Sequence, residues 1–95
     1  MTPDYAMAKE NLPTSMQEAC TMLKAELSDE DILLIKQGKV DATDMHFSLG
    51  LWIRNNWIYK GLTPEALGLE ALPPDADEFS EKILKAFIKF IKKSK

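Results

Sequence analysis

The sequence is poor in the residues that build disulfides and metal centres. Its 95 residues contain one cysteine, Cys20, and one histidine, His46. A single cysteine excludes an intramolecular disulfide and a cysteine-based metal site. A catalytic zinc ion takes three protein ligands, which a lone histidine does not supply. We therefore expect no metal and no cofactor.

Long apolar runs and targeting segments are also missing. No stretch approaches the roughly 20 apolar residues that cross a bilayer. The first 13 residues lack the basic and apolar regions of a signal peptide. Together with the single cysteine, which suits a reducing compartment, these features predict a cytoplasmic protein.

The charge is acidic overall but unevenly distributed. The first 81 residues hold 15 acidic and 6 basic side chains, a net −9, whereas the last 14 hold six lysines and no acid. A basic amphipathic helix can contact nucleic acid or a membrane. The acidic bulk of the chain and its single arginine argue against both, and lysines near a helix C-terminus also suit the helix dipole. We expect the partner to be neither nucleic acid nor membrane.

Helix signals recur along the chain, and no segment reads as a convincing strand. Ninety-five residues are enough for one domain. The apolar periodicity predicts an all-α fold, a compact domain of four to five short helices. Residues 1–12 carry no such period and are expected to form a flexible N-terminal arm, with residues 13–95 as the single helical domain.

Capping residues and glycines set the expected helix boundaries. Thr14 with Gln17, or Ser15 with Glu18, can form a capping box for the first helix. Ser28 and Gly38 are expected to bound the second helix, and the third is expected from Asp41 or Thr43 to about Trp57. Gly61, Thr63-Pro64 and Gly68 lie around a short fourth helix. The last helix is expected from Asp75 or Asp77 to about Lys92.

The third helix contains the unusual polar residues of the chain. His46 and Arg54 lie eight residues apart, about two helical turns, with Gly50 between them. One interpretation is structural, with these side chains satisfying buried carbonyls and helix ends. Another is a small anion or peptide-carboxylate site, with Arg54 as a bidentate clamp. A catalytic role lacks a nucleophile or paired carboxylate beside His46 in sequence.

Aromatic residues in the same helix divide between core and surface. Trp52 shares a face with Leu49 and Ile53 and is expected in the core, as are Phe79 and Phe87 of the last helix. Trp57 and Tyr59 can instead form an exposed aromatic patch for a partner, although a core position for Trp57 fits equally well. The binding candidates are thus His46, Arg54, Asn55, Asn56, Trp57 and Tyr59.

The central helix resembles a motif found in a family of small bacterial domains of unknown function. That motif reads roughly His-Phe-Gly-Leu-Gly-x-x-Ile-Arg-Asn-x-aromatic, and here it spans His46 to Trp57, with Ser48 where the family often has glycine. Weaker similarity covers Leu12–Thr14, Leu27–Asp31 and Pro74–Asp77, so the resemblance extends over about residues 12–91. It implies domain boundaries but no activity.

These observations favour a non-enzymatic protein-interaction module, whose partner is another protein. The alternative is a small anion or peptide-carboxylate binding domain that uses Arg54 and His46. No catalytic residue is predicted.

Overall fold

The computed structural model describes residues 12–69 and 73–93. These residues form five α-helices and two 3-10 helices, with no strand among them: α1 Met16–Glu26, α2 Asp29–Lys36, α3 Ala42–Met45, α4 Leu49–Asn56, 3-10 helices Ile58–Lys60 and Glu65–Leu67, and α5 Ala76–Lys93. The predicted all-α fold is confirmed. The predicted arm lies outside the described residues except for Leu12, which packs against the core.

The start of α1 uses a variant of the predicted capping box. The Ser15 hydroxyl accepts a hydrogen bond from the Glu18 backbone N–H at 3.0 Å. The Glu18 carboxylate accepts bonds from the backbone N–H and hydroxyl of Thr14, at 2.7 and 2.9 Å, one residue before the usual position. The pKa of Glu18 is lowered because both bonds favour its charged form, and the bond from the Thr14 backbone N–H has the larger effect.

The ends of α2 follow the sequence signals closely. Ser28 accepts a hydrogen bond from the backbone N–H of Asp31 at 3.2 Å. At the other end Gly38 adopts a φ of +75°, a left-handed conformation that favours glycine. The N–H groups of Gly38 and Lys39 bond back to the carbonyls of Ile35 and Leu34, which is a Schellman motif.

The later boundaries are also confirmed. Asp75 caps α5 by accepting a hydrogen bond from the Glu78 backbone N–H at 2.9 Å. Thr63 accepts one from the Ala66 backbone N–H at 3.3 Å at the start of the second 3-10 helix, and Gly68 follows that helix in a left-handed conformation.

The expected single helix from Asp41 or Thr43 to Trp57 is wrong. The segment forms α3, a turn at residues 46–48, α4, and then a 3-10 helix. The Ser48 N–H and hydroxyl both donate to the Met45 carbonyl, at 3.2 and 3.4 Å. A serine that bonds a nearby carbonyl competes with regular helix bonding, and the backbone bends at this point.

The last helix, α5, is the common packing partner of the fold, because all four other α-helices contact it. Its buried apolar side chains follow helical spacing: Phe79, Ile83, Leu84, Phe87 and Ile91. On the opposite face Lys85, Lys89 and Lys92 are exposed, whereas Lys82 is half-buried. Lys85 pairs with Glu81 one turn earlier, at 3.4 Å.

Trp57 takes the core position, one of the two open to it, whereas the expected core position of Trp52 is wrong. Trp57 is only 2% exposed, which excludes it from an exposed aromatic patch, and Trp52 is half-buried at the surface rather than fully in the core. Their rings meet edge to face with centroids 5.5 Å apart. The buried side of α4 includes Leu49 and Ile53, as predicted, but it includes Arg54 and not Trp52.

Candidate functional site

Arg54 is buried and bound to groups of the protein itself. Its residue is 7% exposed. Nη1 donates to the Ser80 hydroxyl at 2.9 Å, Nη2 donates to the His46 carbonyl at 3.4 Å, and Nε lies 3.4 Å from Oδ1 of Asp77. These contacts with a turn carbonyl and with a carboxylate at the start of α5 agree with the structural interpretation of Arg54.

Ser80 completes this cluster from the first turns of α5. It is fully buried, and its hydroxyl accepts from Arg54 while it donates to the Asp77 carbonyl at 2.9 Å. Arg54 and Ser80 are the buried polar side chains within residues 12–69 and 73–93. No buried side-chain nitrogen or oxygen in those ranges lacks a hydrogen-bond partner. The arrangement therefore resembles a satisfied structural network.

Gly50 provides the space that this network occupies. A Cβ atom added to Gly50 would lie 3.3 Å from Cδ1 of Leu84, and 3.4 Å from both Nη1 of Arg54 and the Met45 carbonyl. The space above Gly50 is therefore filled by Leu84 of α5 and by the Arg54 side chain.

The remaining predicted site residues do not gather around Arg54. Asn55 and Tyr59 are exposed, Tyr59 by 66%. The exposed Asn56 amide donates to the Trp52 carbonyl of its own helix at 2.9 Å, and Trp57 is buried in the core. The structure brings together Arg54 and the His46 backbone, but not the other candidates.

The half-buried His46 side chain contacts the next aromatic residue in the turn. Its ring meets Phe47 edge-on, with centroids 4.9 Å apart. Phe47 is 82% exposed. The described part of the chain contains no group of three or more His, Cys, Asp or Glu side chains that could hold a metal ion.

A different feature, a half-open groove, offers space to a ligand. Its volume is about 480 Å³, and it lies between the end of α1, α2, the α2–α3 connection, α3 and the first turn of α4. We call this cavity the α2–α4 groove. Seven apolar residues line it: Leu27, Leu34, Ile35, Val40, Met45, Leu49 and Trp52.

The polar lining of the α2–α4 groove is acidic. Glu26, Asp31 and Asp44 contribute carboxylates and Ser48 a hydroxyl, and no lysine or arginine of the described residues lines it. Asp44 also accepts a bond from the Asp41 backbone N–H at 2.9 Å in the capping box of α3. Glu26 and Asp31 form no ion pair with any described residue. No described residue therefore neutralises these two charges through an ion pair.

None of the six predicted site residues lines this groove. One signal in the sequence points to it, the run of four apolar residues from Ile32 to Ile35. Four consecutive positions of a helix cover its whole circumference, so they cannot all face one core. Ile32 and Ile35 are buried, Leu34 lines the groove, and Leu33 is 52% exposed.

No helix in the described ranges is long and apolar enough to cross a bilayer. Comparison of the sequence with curated proteins and with solved structures gives no match. Residues 12–90 match the family described as "Domain of unknown function (DUF6794)". The match spans most of the chain and includes both the Arg54 network and the α2–α4 groove, and the chain therefore belongs to the DUF6794 family.

Proposed function

We propose that this chain is a non-enzymatic protein-interaction domain of the bacterial cytoplasm, which binds a partner protein in the α2–α4 groove. The observation that carries the proposal is the groove itself, about 480 Å³ of half-open space with seven apolar lining residues. Sites that receive a ligand group are lined mostly by apolar side chains with a few polar groups, as this groove is. The groove also falls within the size range of pockets that bury ligand groups.

The lining residues suit a protein partner. Trp52 and Met45 belong to residue types that are enriched at protein interfaces, and a partly exposed tryptophan is a frequent energetic centre of binding. Trp52 rests against the buried Trp57, so its ring is held in place before a partner arrives. Preorganisation of this kind lowers the entropy lost on binding.

The chemistry of the groove supports binding rather than catalysis. Its polar groups are three carboxylates and Ser48. The Ser48 hydroxyl donates to the Met45 carbonyl, and no histidine lies beside it in the lining formed by the described residues. A hydroxyl nucleophile needs an adjacent base to take its proton, and the Ser48 hydroxyl instead donates its proton to a backbone carbonyl.

The alternative site, an anion clamp at Arg54, receives less support from the geometry. Each of the three guanidinium nitrogens already contacts a protein group, of Ser80, His46 or Asp77. An incoming carboxylate would have to displace the exposed Asp77 carboxylate and leave the buried contacts in place. The Arg54 network therefore accounts for the fold more directly than for a ligand.

Two neighbouring leucines of α2 allow a matched test of the proposal. Leu34 lines the groove, whereas the adjacent Leu33 is exposed and does not. Immobilised wild-type protein, Leu34→Glu and Leu33→Glu would be compared for proteins retained from a bacterial lysate, identified by mass spectrometry. We expect at least one protein that wild type and Leu33→Glu retain and that folded Leu34→Glu loses. Equal retention by all three proteins would contradict the groove as the binding site.

Nucleic acid is not the expected partner. The exposed lysines of α5 are offset by the acidic bulk of the chain, which repels phosphates at long range. In a mobility-shift assay at physiological salt we expect no shift of generic duplex DNA or RNA at micromolar protein. Micromolar binding that weakens with salt would overturn this expectation.

A further inference from the structure

The charges around the α2–α4 groove indicate the chemistry of its occupant. We infer that the groove binds a basic amphipathic helix of a partner protein, with apolar side chains in the groove and lysine or arginine side chains beside Glu26, Asp31 and Asp44. This inference rests on the proposed function, because it names the kind of partner that the same groove takes.

The apolar lining selects the helical form of the occupant. The groove is bordered by side chains of helices and connections, and the described residues contain no strand whose edge could pair with an extended peptide. An extended segment would therefore bury backbone groups without partners, which is unfavourable. A helix satisfies its own backbone bonds and presents side chains alone, as in other helix-in-groove complexes.

The acidic lining selects the sign of the partner's charge. Three carboxylates and no basic side chain of the described residues line the groove. Glu26 and Asp31 are exposed and have no ion-pair partner among those residues. The first 81 residues of the chain together carry a net −9. Such a field attracts cationic segments from a distance and repels acidic ones, which raises the association rate and the specificity.

A second copy of the chain is a less suitable occupant. Its own basic amphipathic helix is α5, but the apolar side chains of α5 are already buried in the core, Ile83, Leu84 and Phe87 completely. To enter another copy's groove, α5 would have to leave the helices that pack on it. The lysine face alone offers charge without the apolar side chains that the groove would bury.

The test uses two synthetic helices of about 18 residues, roughly five turns. Both carry the same leucine stripe, and one has lysine where the other has glutamate on the flanking positions. Each is titrated into the full chain by calorimetry, and amide and indole shifts of Leu34, Val40 and Trp52 report the binding site by NMR. We expect the lysine peptide to bind at the groove, more weakly as salt rises, and the glutamate peptide to bind far less.

A pair of double variants with equal charge change locates the attraction. E26Q/D31N removes two carboxylates that line the groove, and D29N/E30Q removes two exposed carboxylates of α2 that do not. We expect E26Q/D31N to raise the Kd of the lysine peptide about three- to tenfold, as two exposed ion pairs allow. D29N/E30Q should change it less than about twofold. Equal weakening by both pairs would indicate general attraction to an acidic protein and would overturn the inference.

Other outcomes separate this inference from the proposed function. If both peptides bind equally and Leu34→Glu abolishes both, the groove is an interaction site but the charge preference is wrong. If neither peptide binds while the lysate experiment retains a groove-dependent protein, the inference fails alone. If neither experiment detects groove-dependent binding, both proposals fail. A dimer in solution that Leu34→Glu dissociates would assign the groove to a second copy and overturn the inference.

Discussion

The Arg54 guanidinium donates to the Ser80 hydroxyl at 2.9 Å and joins two helices at the centre of the fold. Arg54 belongs to α4 and Ser80 to α5, and the same guanidinium reaches the His46 carbonyl in the turn between α3 and α4. One side chain therefore holds the α3–α4 turn and the start of α5 in a fixed relation. The short helix α3 lies next to this turn and contributes Met45 to the α2–α4 groove.

Replacement of Arg54 should destabilise the domain. Arg54→Ala removes contacts to two neutral acceptors and to Asp77, whose side chain is 69% exposed. Because that carboxylate stays solvated, we expect a loss of about 2–3 kcal/mol in the free energy of unfolding, measured by urea denaturation. Arg54→Lys should recover little of it, because an ammonium group cannot reach three separated acceptors.

Asp77→Asn provides the control for Arg54, since it removes only the exposed partner. It should cost less than about 1 kcal/mol. The anion-site interpretation predicts a different pattern, in which Arg54→Ala keeps the wild-type stability but loses a ligand. An unchanged denaturation midpoint for Arg54→Ala would contradict the structural role.

The two tryptophans should differ sharply when truncated. Trp57 is almost fully buried and Trp52 is half-buried. Trp57→Ala should cost about 3–5 kcal/mol, a large share of the stability of a small domain. Trp52→Ala should leave the protein folded and cost less, with its main effect on binding at the groove. Circular dichroism melts of both variants would test the order, and the reverse order would show that the assigned environments are wrong.

Gly50→Ala should be unfavourable although alanine is the better helix former. In an open helix the change would stabilise by about 1 kcal/mol. Here the new Cβ meets Leu84 and the Met45 carbonyl at 3.3–3.4 Å, and overpacking of this kind costs about 1–3 kcal/mol. We expect a net loss of about 1 kcal/mol. In a Leu84→Ala background the loss should shrink, which a double-mutant cycle would measure.

Burial of Cys20 should make stability fall at alkaline pH. Burial raises the pKa of the Cys20 thiol to about 11, because an apolar environment disfavours the thiolate. Between the unfolded-state pKa, 9.0, and about 11, the unfolded chain loses this proton while the folded protein keeps it. The unfolded state is then favoured, so the contribution of Cys20 is complete below pH 9.0 and is lost as the pH rises toward 11.

The control for Cys20 is Cys20→Ala, which removes the titrating group. Its free energy of unfolding should decline less steeply than that of wild type over the same alkaline range. The folded wild-type thiol should also react slowly with a thiol reagent at neutral pH. Equal alkaline slopes for the two proteins, or rapid modification of the folded protein, would contradict this account.

Helix boundaries were predictable because they depend on neighbouring residues. Ser28 and Asp75 accept bonds from N–H groups three residues ahead, and Gly38 supplies a conformation that few other residues adopt. Each signal acts within one turn of helix, so the sequence displays the donor and the acceptor together.

The face of α4 was not predictable in this way. Hydrophobic periodicity places apolar residues inside and an arginine outside, but Arg54 is buried because Ser80, 26 residues later, accepts its bond. With Arg54 on the buried side of α4, Trp57 lies in the core, one of its two expected positions, and Trp52 lies half-buried at the surface. The groove has the same origin, because its walls come from segments that meet only after the chain has folded.

The central position of α5 also has a consequence for protein synthesis. The four other α-helices precede α5 in the chain, and each packs against it. While α5 is still inside the ribosome, the emerged segment has helices with apolar faces but lacks the element that covers them. We therefore expect the core to close only after α5 has emerged, and the apolar faces of the earlier helices to stay exposed until then.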